Sequence, residues 1–188
     1  GKRCFDFHQS GYGKAVFPKP LFPKRFQVII AEMNCDLTIR FFQPEDQSDV
    51  KALILEGLGE RWGAIDPAKN PDLDDIAASY SGGFFRIAEM AGRIVGTGAL
   101  VPRAEGEMEI RRMSVRQDVR RRGIGDAILQ RLIEDARAAG CRRIILETTS
   151  TWKDAVRFYQ KRGFCITHHQ EGDTYFLLEV NPGSASVV

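Results

Sequence analysis

The sequence predicts an α/β fold: a mixed, mostly antiparallel sheet of about seven strands flanked by about four helices. Three observations predict it. Strand-patterned and helix-patterned runs follow one another in the order strand, two helices, three strands, helix, strand, helix, two strands. Turn-length links join most neighbouring strands as hairpins, whereas a helix-length link separates Glu107–Val115 from Arg143–Thr148 and makes those two parallel neighbours. The length of 188 residues, with 43% hydrophobic and 28% charged side chains, suits one domain with a full core and a short extension.

Residues 1–34 read as that extension. Residues 1–32 carry Lys2, Arg3, Lys14, Lys19, Lys24 and Arg25 against Asp6 and Glu32, and Val16-Phe17-Pro18-Lys19-Pro20-Leu21-Phe22-Pro23 places a turn signal every few residues without a sustained period. The stretch is either non-native, upstream of a true start at Met33, or a basic targeting or docking arm. The domain proper is expected over 35–182, with a tail at 183–188.

Leu37–Phe41 alternates as a first strand, and Pro44-Glu45-Asp46 opens a helix to about Gly57 with acids in its first turn. Asn70-Pro71, a cap residue before Pro, opens a second helix to about Tyr80. Phe84–Glu89 and Arg93–Val101 form a hairpin around Met90-Ala91-Gly92, and Glu107–Val115 is the next strand. From Gly123 to Ala139, Ile124, Ile128, Leu132 and Ala136 recur every four residues and Leu129 and Ile133 widen the stripe, so a helix is expected until Gly140. Arg143–Thr148 is a compact apolar strand, Lys153–Arg162 the last helix, and Phe164–Thr167 with Thr174–Val180 a closing hairpin.

The net charge is only +2, and residues 33–188 hold 21 basic against 23 acidic residues, which argues against a nucleic-acid or anionic-membrane partner. Cys4, Cys35, Cys141 and Cys165 lie far apart, and His8, His168 and His169 do not join them at a metal-ligand spacing. No metal is expected, and free thiols point to a cytoplasmic protein. No apolar run approaches the roughly 20 residues of a membrane span.

The chemistry concentrates between Val115 and the Gly123 helix. A strand that runs through a tight loop into a helix presents unpaired N–H groups at the positive end of the dipole, which suits an anion. In Arg116-Gln117-Asp118-Val119-Arg120-Arg121-Arg122-Gly123-Ile124-Gly125 the two glycines would keep side chains out of a phosphate's way. The Lys-Ser/Thr of a nucleotide-hydrolase loop is missing, and the first glycine of a dinucleotide fingerprint would fall on Arg120. Arg111, Arg112, Arg116, Arg120, Arg121 and Arg122 supply charge for phosphates beyond a pyrophosphate, as coenzyme A has.

Arg120-x-x-Gly123-x-Gly125, preceded by Met113-Ser114-Val115 and followed by an amphipathic helix, resembles the acetyl-CoA-binding motif of the GNAT N-acetyltransferase superfamily. The resemblance covers about residues 37–180. Gly92-Arg93-Ile94-Val95-Gly96-Thr97-Gly98 looks like that family's third strand, and Ala155-x-x-Phe158-Tyr159-x-x-x-Gly163-Phe164 looks like its last helix and closing strand.

The resemblance implies two central parallel strands that splay, with acetyl-CoA as co-substrate. Met113, Ser114 and Val115 would meet the pantetheine arm, the Val115 N–H would polarise the thioester carbonyl, and Arg120, Arg121, Arg122, Gly123, Ile124 and Gly125 would hold the pyrophosphate. The implied reaction is direct attack of a primary amine on the thioester. Glu109 is the first candidate for the base that takes the amine's proton, on the face that alternation gives to Arg111 and Met113, and Glu107 the second. Tyr159 would donate a proton to the leaving sulfur. Many family members carry Asn three residues before the Ala of the last helix; this chain has Trp152 there.

The resemblance also implies that the segment between the first helix and the second strand, residues 56–80, covers the acceptor site; there Glu56, Glu60, Asp66, Asp72, Asp74 and Asp75 outnumber Arg61 and Lys69, and Trp62 and Tyr80 offer flat apolar surfaces for a cationic amine. A small-molecule amine is the reading. A protein lysine or N-terminal acetyltransferase and, in a different class, a non-catalytic acyl-CoA sensor stay open, and the open sheet edges allow a homodimer.

Overall fold

The computed structural model describes residues 37–181. The extension at 1–34, Met33, Cys4, His8, Cys35 and the tail at 183–188 lie outside the described residues.

The chain opens with β1 (Leu37–Phe41), α1 (Gln47–Trp62) and the short α2 (Ile76–Ser79). α1 runs past Gly57, the expected end, because that glycine is a point of close approach: a Cβ there would lie 2.7 Å from Ser114 Oγ. The helix expected from Asn70 to Tyr80 is broken instead. A 3₁₀ turn over Pro71–Leu73 ends at Asp74, and extended Asp75 restarts the helix by accepting the Ala78 N–H at 2.9 Å.

β2 (Phe84–Met90) and β3 (Arg93–Ala104) turn through Ala91 and Gly92, both at positive φ, and β6 (Cys165–Gln170) and β7 (Asp173–Glu179) turn likewise through Glu171 and Gly172. Between the hairpins lie β4 (Glu107–Val115), α3 (Ile124–Ala138), β5 (Arg143–Thr149) and α4 (Lys153–Lys161). The seven strands form one sheet in the order β1-β2-β3-β4-β5-β7-β6, antiparallel throughout except between β4 and β5.

That parallel pair is short. Its register holds for Glu107–Arg143, Met108–Ile144 and Glu109–Ile145, after which β4 stays with β3 and β5 with β7. Past this fork β4 carries a bulge: Thr97 faces Ser114 and Ala99 faces Arg111, so Arg112 and Met113 together oppose Gly98. Arg112 has φ 52°, and the fully buried Thr97 donates its Oγ1 proton to the Arg112 carbonyl at 2.8 Å, which holds the bulge.

The bulge overturns the expectation that Met113 shares a face with Glu109 and Arg111. A Cβ on Gly98 would strike Met113 Sδ at 2.6 Å and Ile128 of α3 at 2.7 Å, so Met113 faces α3. Glu109 and Arg111, opposite Val101 and Ala99, lie on the face packed by α1.

Each sheet face has its own core. On one, Ile124, Ile128, Leu129 and Leu132 of α3 and Tyr159 of α4 pack on Val95, Leu100, Ile110, Ile144 and Phe176, each fully buried aliphatic side chain worth roughly 2 kcal/mol. On the other, Val50, Leu53 and Ile54 of α1 and Ile76 of α2 pack on Phe85, Ile87 and Ala99 of β2 and β3. Arg86 of β2 grips Asp135 of α3 through two bonds of 2.8 and 2.6 Å, pinning α3 to the sheet.

Candidate active site

Where β4 and β5 part, a cleft of about 690 Å³ opens. Ile110–Val115 of β4, Glu147 and Thr148 of β5, the start of α3 and one face of α4 line it, with Ile54, Gly57 and Leu58 of α1. The Arg116 N–H donates to Val95 O at 3.0 Å, so the Gly96–Val115 pair falls between ladder bonds. The Val115 N–H and C=O therefore point away from β3, into the gap that β5 has left. Ser114, by contrast, turns its hydroxyl toward α1 at Gly57.

The loop before α3 is shaped for an anion. Arg121 (φ 66°) and Gly123 (φ 81°) are left-handed, and among the described residues the amides of Arg121 to Asp126 find no backbone acceptor; the first to do so is Ala127, bonded to Gly123 O at 3.0 Å. Alternating backbone hands turn successive N–H groups into one concavity at the positive end of α3. A Cβ on Gly123 would meet no protein atom within 4 Å, and the residue's φ of 81° itself favours glycine, whereas a Cβ on Gly125 would sit 3.5 Å from Phe158 and narrow the cleft between α3 and α4.

The arginines divide. Arg120 is committed to the protein, its Nε donating to Val115 O at 2.9 Å and its Nη2 lying 2.5 Å from Glu60 of α1. Arg162 binds Asp126 and lies over the Phe158 ring, tying α4 to α3. Arg121 and Arg122 are exposed without an ion pair among the described residues, and Arg121 lines the cleft together with Arg157 and Lys161.

Tyr159 closes one wall. Its ring packs 5.6 and 5.7 Å from Phe164 and Phe176, and its hydroxyl has no hydrogen-bond partner among the described residues. Burial pushes that hydroxyl well above the usual phenol range, against the opposing charges of Arg162 and Arg61, so the proton stays on at neutral pH.

The structure does not bring the other expected residues to the cleft. Glu109 is buried, with Oε2 2.9 Å from Arg103 Nε and 3.0 Å from Arg111 Nε; these are ion pairs without hydrogen-bond alignment. Glu107 pairs with Arg143 at 3.3 Å. Tyr80 lies in the second core beside a separate pocket of about 330 Å³, where burial and its 2.5 Å bond to Asp72 push its hydroxyl up to about 12. Trp62 is exposed, 5.1 Å from the Trp152 ring, and of the two Trp152 lines the cleft.

The acidic segment is spent as well. Glu56 pairs with Arg116, Glu60 with Arg120 and Asp74 with Lys51, while Asp66 and Asp75 accept local amides. Asp72 binds Arg112, whose Nη1 reaches Asn70 at 3.0 Å. Burial raises the Asp72 carboxyl, but the Arg112 and Tyr80 hydrogen bonds outweigh it and hold it below the usual carboxylate range.

Two features escaped the sequence reading. Glu147 lines the cleft from β5, opposite Tyr175 of β7, which donates to it; alternation along Arg143–Thr148 was the signal available. Arg61 grips Asp154 through bonds of 3.0 and 2.8 Å and lies 4.6 Å over the Trp152 ring, joining the end of α1 to the start of α4.

A family model described as the acetyltransferase (GNAT) family matches residues 49–164. Over 118 residues the chain is 32% identical to an IAA acetyltransferase of Azospirillum brasilense, covering 62% of this chain and 77% of that one. It is 35% identical over 98 residues to a probable N-acetyltransferase camello of Xenopus tropicalis, covering 50% of this chain and 45% of that one, so it spans under half of that relative. The PaiA N-acetyltransferase of Thermoplasma acidophilum, solved in complex with coenzyme A, superposes with a TM-score of 0.68 at 18% identity, covering 77% of this chain and 99% of that one.

Proposed function

The chain belongs to the acetyltransferase (GNAT) family, and from that premise we propose that it transfers the acetyl group of acetyl-CoA to a primary amine of a small molecule by direct attack on the thioester. The observation that carries this reading is the continuity of the β4–β5 gap with the amide concavity at the start of α3. A ligand with a pyrophosphate and an extended polar arm fits such a path, and coenzyme A, bound to the Thermoplasma relative, is such a ligand.

The amides of Arg121 to Asp126 would hold the pyrophosphate, with Arg121, Arg157 and Lys161 supplying charge for its phosphates. Bound there, acetyl-CoA would supply the activated acetyl carbon. The Val115 N–H, facing the gap, is placed to steady the carbonyl oxygen as it gains charge. Of the two protons an ammonium sheds to become an amide, Tyr159 Oη passes one to the departing sulfur and a carboxylate takes the other on to water.

The test is thiol release over a panel of small amines and peptides, with acetyl-CoA binding measured separately by calorimetry. Tyr159→Phe is expected to lower kcat at least about tenfold while leaving acetyl-CoA affinity within about twofold. Wild-type turnover in that variant would remove Tyr159 as the acid. Preference for peptides would overturn the small-molecule acceptor, and acetyl-CoA binding without thiol release from any amine would favour a sensor.

A further inference from the structure

The cleft has a charge pattern that the sequence does not suggest. Its carboxylates are Asp126, Glu147 and Asp154. Asp126 is held by Arg162 and Asp154 by both arms of Arg61, whereas Glu147 is exposed and has no ion pair among the described residues.

Across the fork the balance is reversed. Arg103 and Arg111 share a single oxygen of Glu109, so two guanidinium charges meet one carboxylate. Glu109 is spent within this cluster, its side chain only 9% exposed, while the two arginines are 51% and 44% exposed and Arg111 lines the cleft. Their Nε atoms lie against Glu109, and among the described residues their Nη atoms make no hydrogen bond. The acids of the 56–75 segment, spent on other partners, leave this excess positive charge uncompensated.

The sheet puts the opposite charges side by side. Glu109 and Ile145 are the last parallel pair, and the next residues outward on the same face are Arg111 on β4 and Glu147 on β5, where the strands separate. A cation site and an anion site thus flank the point at which the acetyl group would emerge from between the strands.

Building on the acetyltransferase reading, we propose that the acceptor is an amine that also carries a carboxylate, a free amino acid in chemical class: Glu147 takes its ammonium, and Arg111, reinforced by Arg103, takes its carboxylate. The guanidinium edge left free by Glu109 matches a carboxylate in two-pronged geometry. Glu147 lies where the ammonium must lose a proton before its nitrogen can form the new bond to the acetyl carbon; that proton passes from Glu147 to water, and the bond that breaks is the carbon–sulfur bond of the thioester.

The experiment uses matched acceptors: an amino acid, its carboxamide and its decarboxylated amine, on the same side chain. Thiol release is expected to show kcat/KM at least about tenfold higher for the amino acid, expressed mainly in KM. Arg111→Gln should bring the members of each set within about threefold of one another, and Arg103→Gln should shrink the preference partially. Glu147→Gln should lower kcat/KM at least about tenfold for every amine, with or without a carboxylate. Each variant is checked for retained Tm and acetyl-CoA affinity. A wild-type protein that treats the three acceptors alike, or a preference that survives Arg111→Gln, overturns the proposal.

Calorimetric titration of the coenzyme A complex separates this idea from the reading beneath it. Carboxylate-selective, Arg111-dependent binding without thiol release would uphold the acceptor site and sink the acetyltransferase reading. The absence of both selective binding and turnover would overturn the acceptor site.

Discussion

The two halves of the cleft are built by different means. The donor half is one continuous stretch from Val115 to Asp126, and what it offers is mainly backbone: an N–H facing the strand gap and a run of amides at the start of α3. The half we assign to the acceptor draws on side chains of three strands: Arg111 of β4 and Glu147 of β5 line the cleft, and Glu109 of β4 with Arg103 of β3 stands behind Arg111. A backbone site depends on local dihedral angles, whereas a side-chain site depends on which strands become neighbours and on which face each residue emerges. The first tolerates side-chain change and fails with backbone change; the second does the reverse.

The largest expected effect lies in the anchor of the donor half. Arg86 and Asp135 are each 11% exposed in their side chains and join α3 to β2. Asp135→Ala leaves the guanidinium buried without its partner, a loss of about 3 kcal/mol, near the low end for such pairs because Arg86 keeps its stack 3.4 Å over Phe41. Denaturant unfolding should show it. Acetyl-CoA affinity of the folded fraction should fall by less than about tenfold, since Arg120 and the Ile124 side chain still seat the loop. A larger fall would mean that the amide concavity is held by the anchor and not by its own dihedrals.

The second effect tests the loop directly. Gly123→Asp forces a side chain onto φ 81° and places a carboxylate at the mouth of an anion site, and acetyl-CoA should bind at least about 100-fold more weakly. Gly123→Ala carries only the conformational cost of about 1–2 kcal/mol, roughly tenfold. Calorimetry on the pair separates charge from strain. Equal affinities would mean that no anion sits at the start of α3.

This division explains what could be read in the sequence. The order of elements, the parallel pair and the α3 stripe through Ile124, Ile128, Leu132 and Ala136 follow from periodicity and link length, and the loop follows from its glycines. The β4 bulge does not, because it is held by Thr97 on another strand, and with it went the face of Met113, which parts from Glu109 and Arg111. The acids of residues 56–75 read as a cationic-amine surface because their partners are remote; Asp72 meets Arg112 at a separation of 40 residues. Glu147 stayed hidden among strand residues because only the parting of β4 from β5 gives it a cleft to face.

The smallest effect is expected at Trp62, the residue whose composition-based reading the structure changes most. Lying on Trp152 and outside the cleft, it can reach an acceptor only by steadying Trp152, which the Arg61 guanidinium already covers from 4.6 Å and which the Arg61–Asp154 pair brackets. Trp62→Ala should therefore raise the acceptor KM by no more than about threefold, with kcat and acetyl-CoA affinity within about twofold, the scale of an exposed aromatic contact. Asp154 sharpens the point: hydrogen bonds from Arg61 hold its carboxyl down at about 2, so the clasp is complete above the unfolded carboxyl range near pH 4 and opens only as the pH falls toward 2. A KM increase of tenfold or more at neutral pH, where that clasp is closed, would put Trp62 against the acceptor itself and shift the acceptor half from the strand fork toward the end of α1.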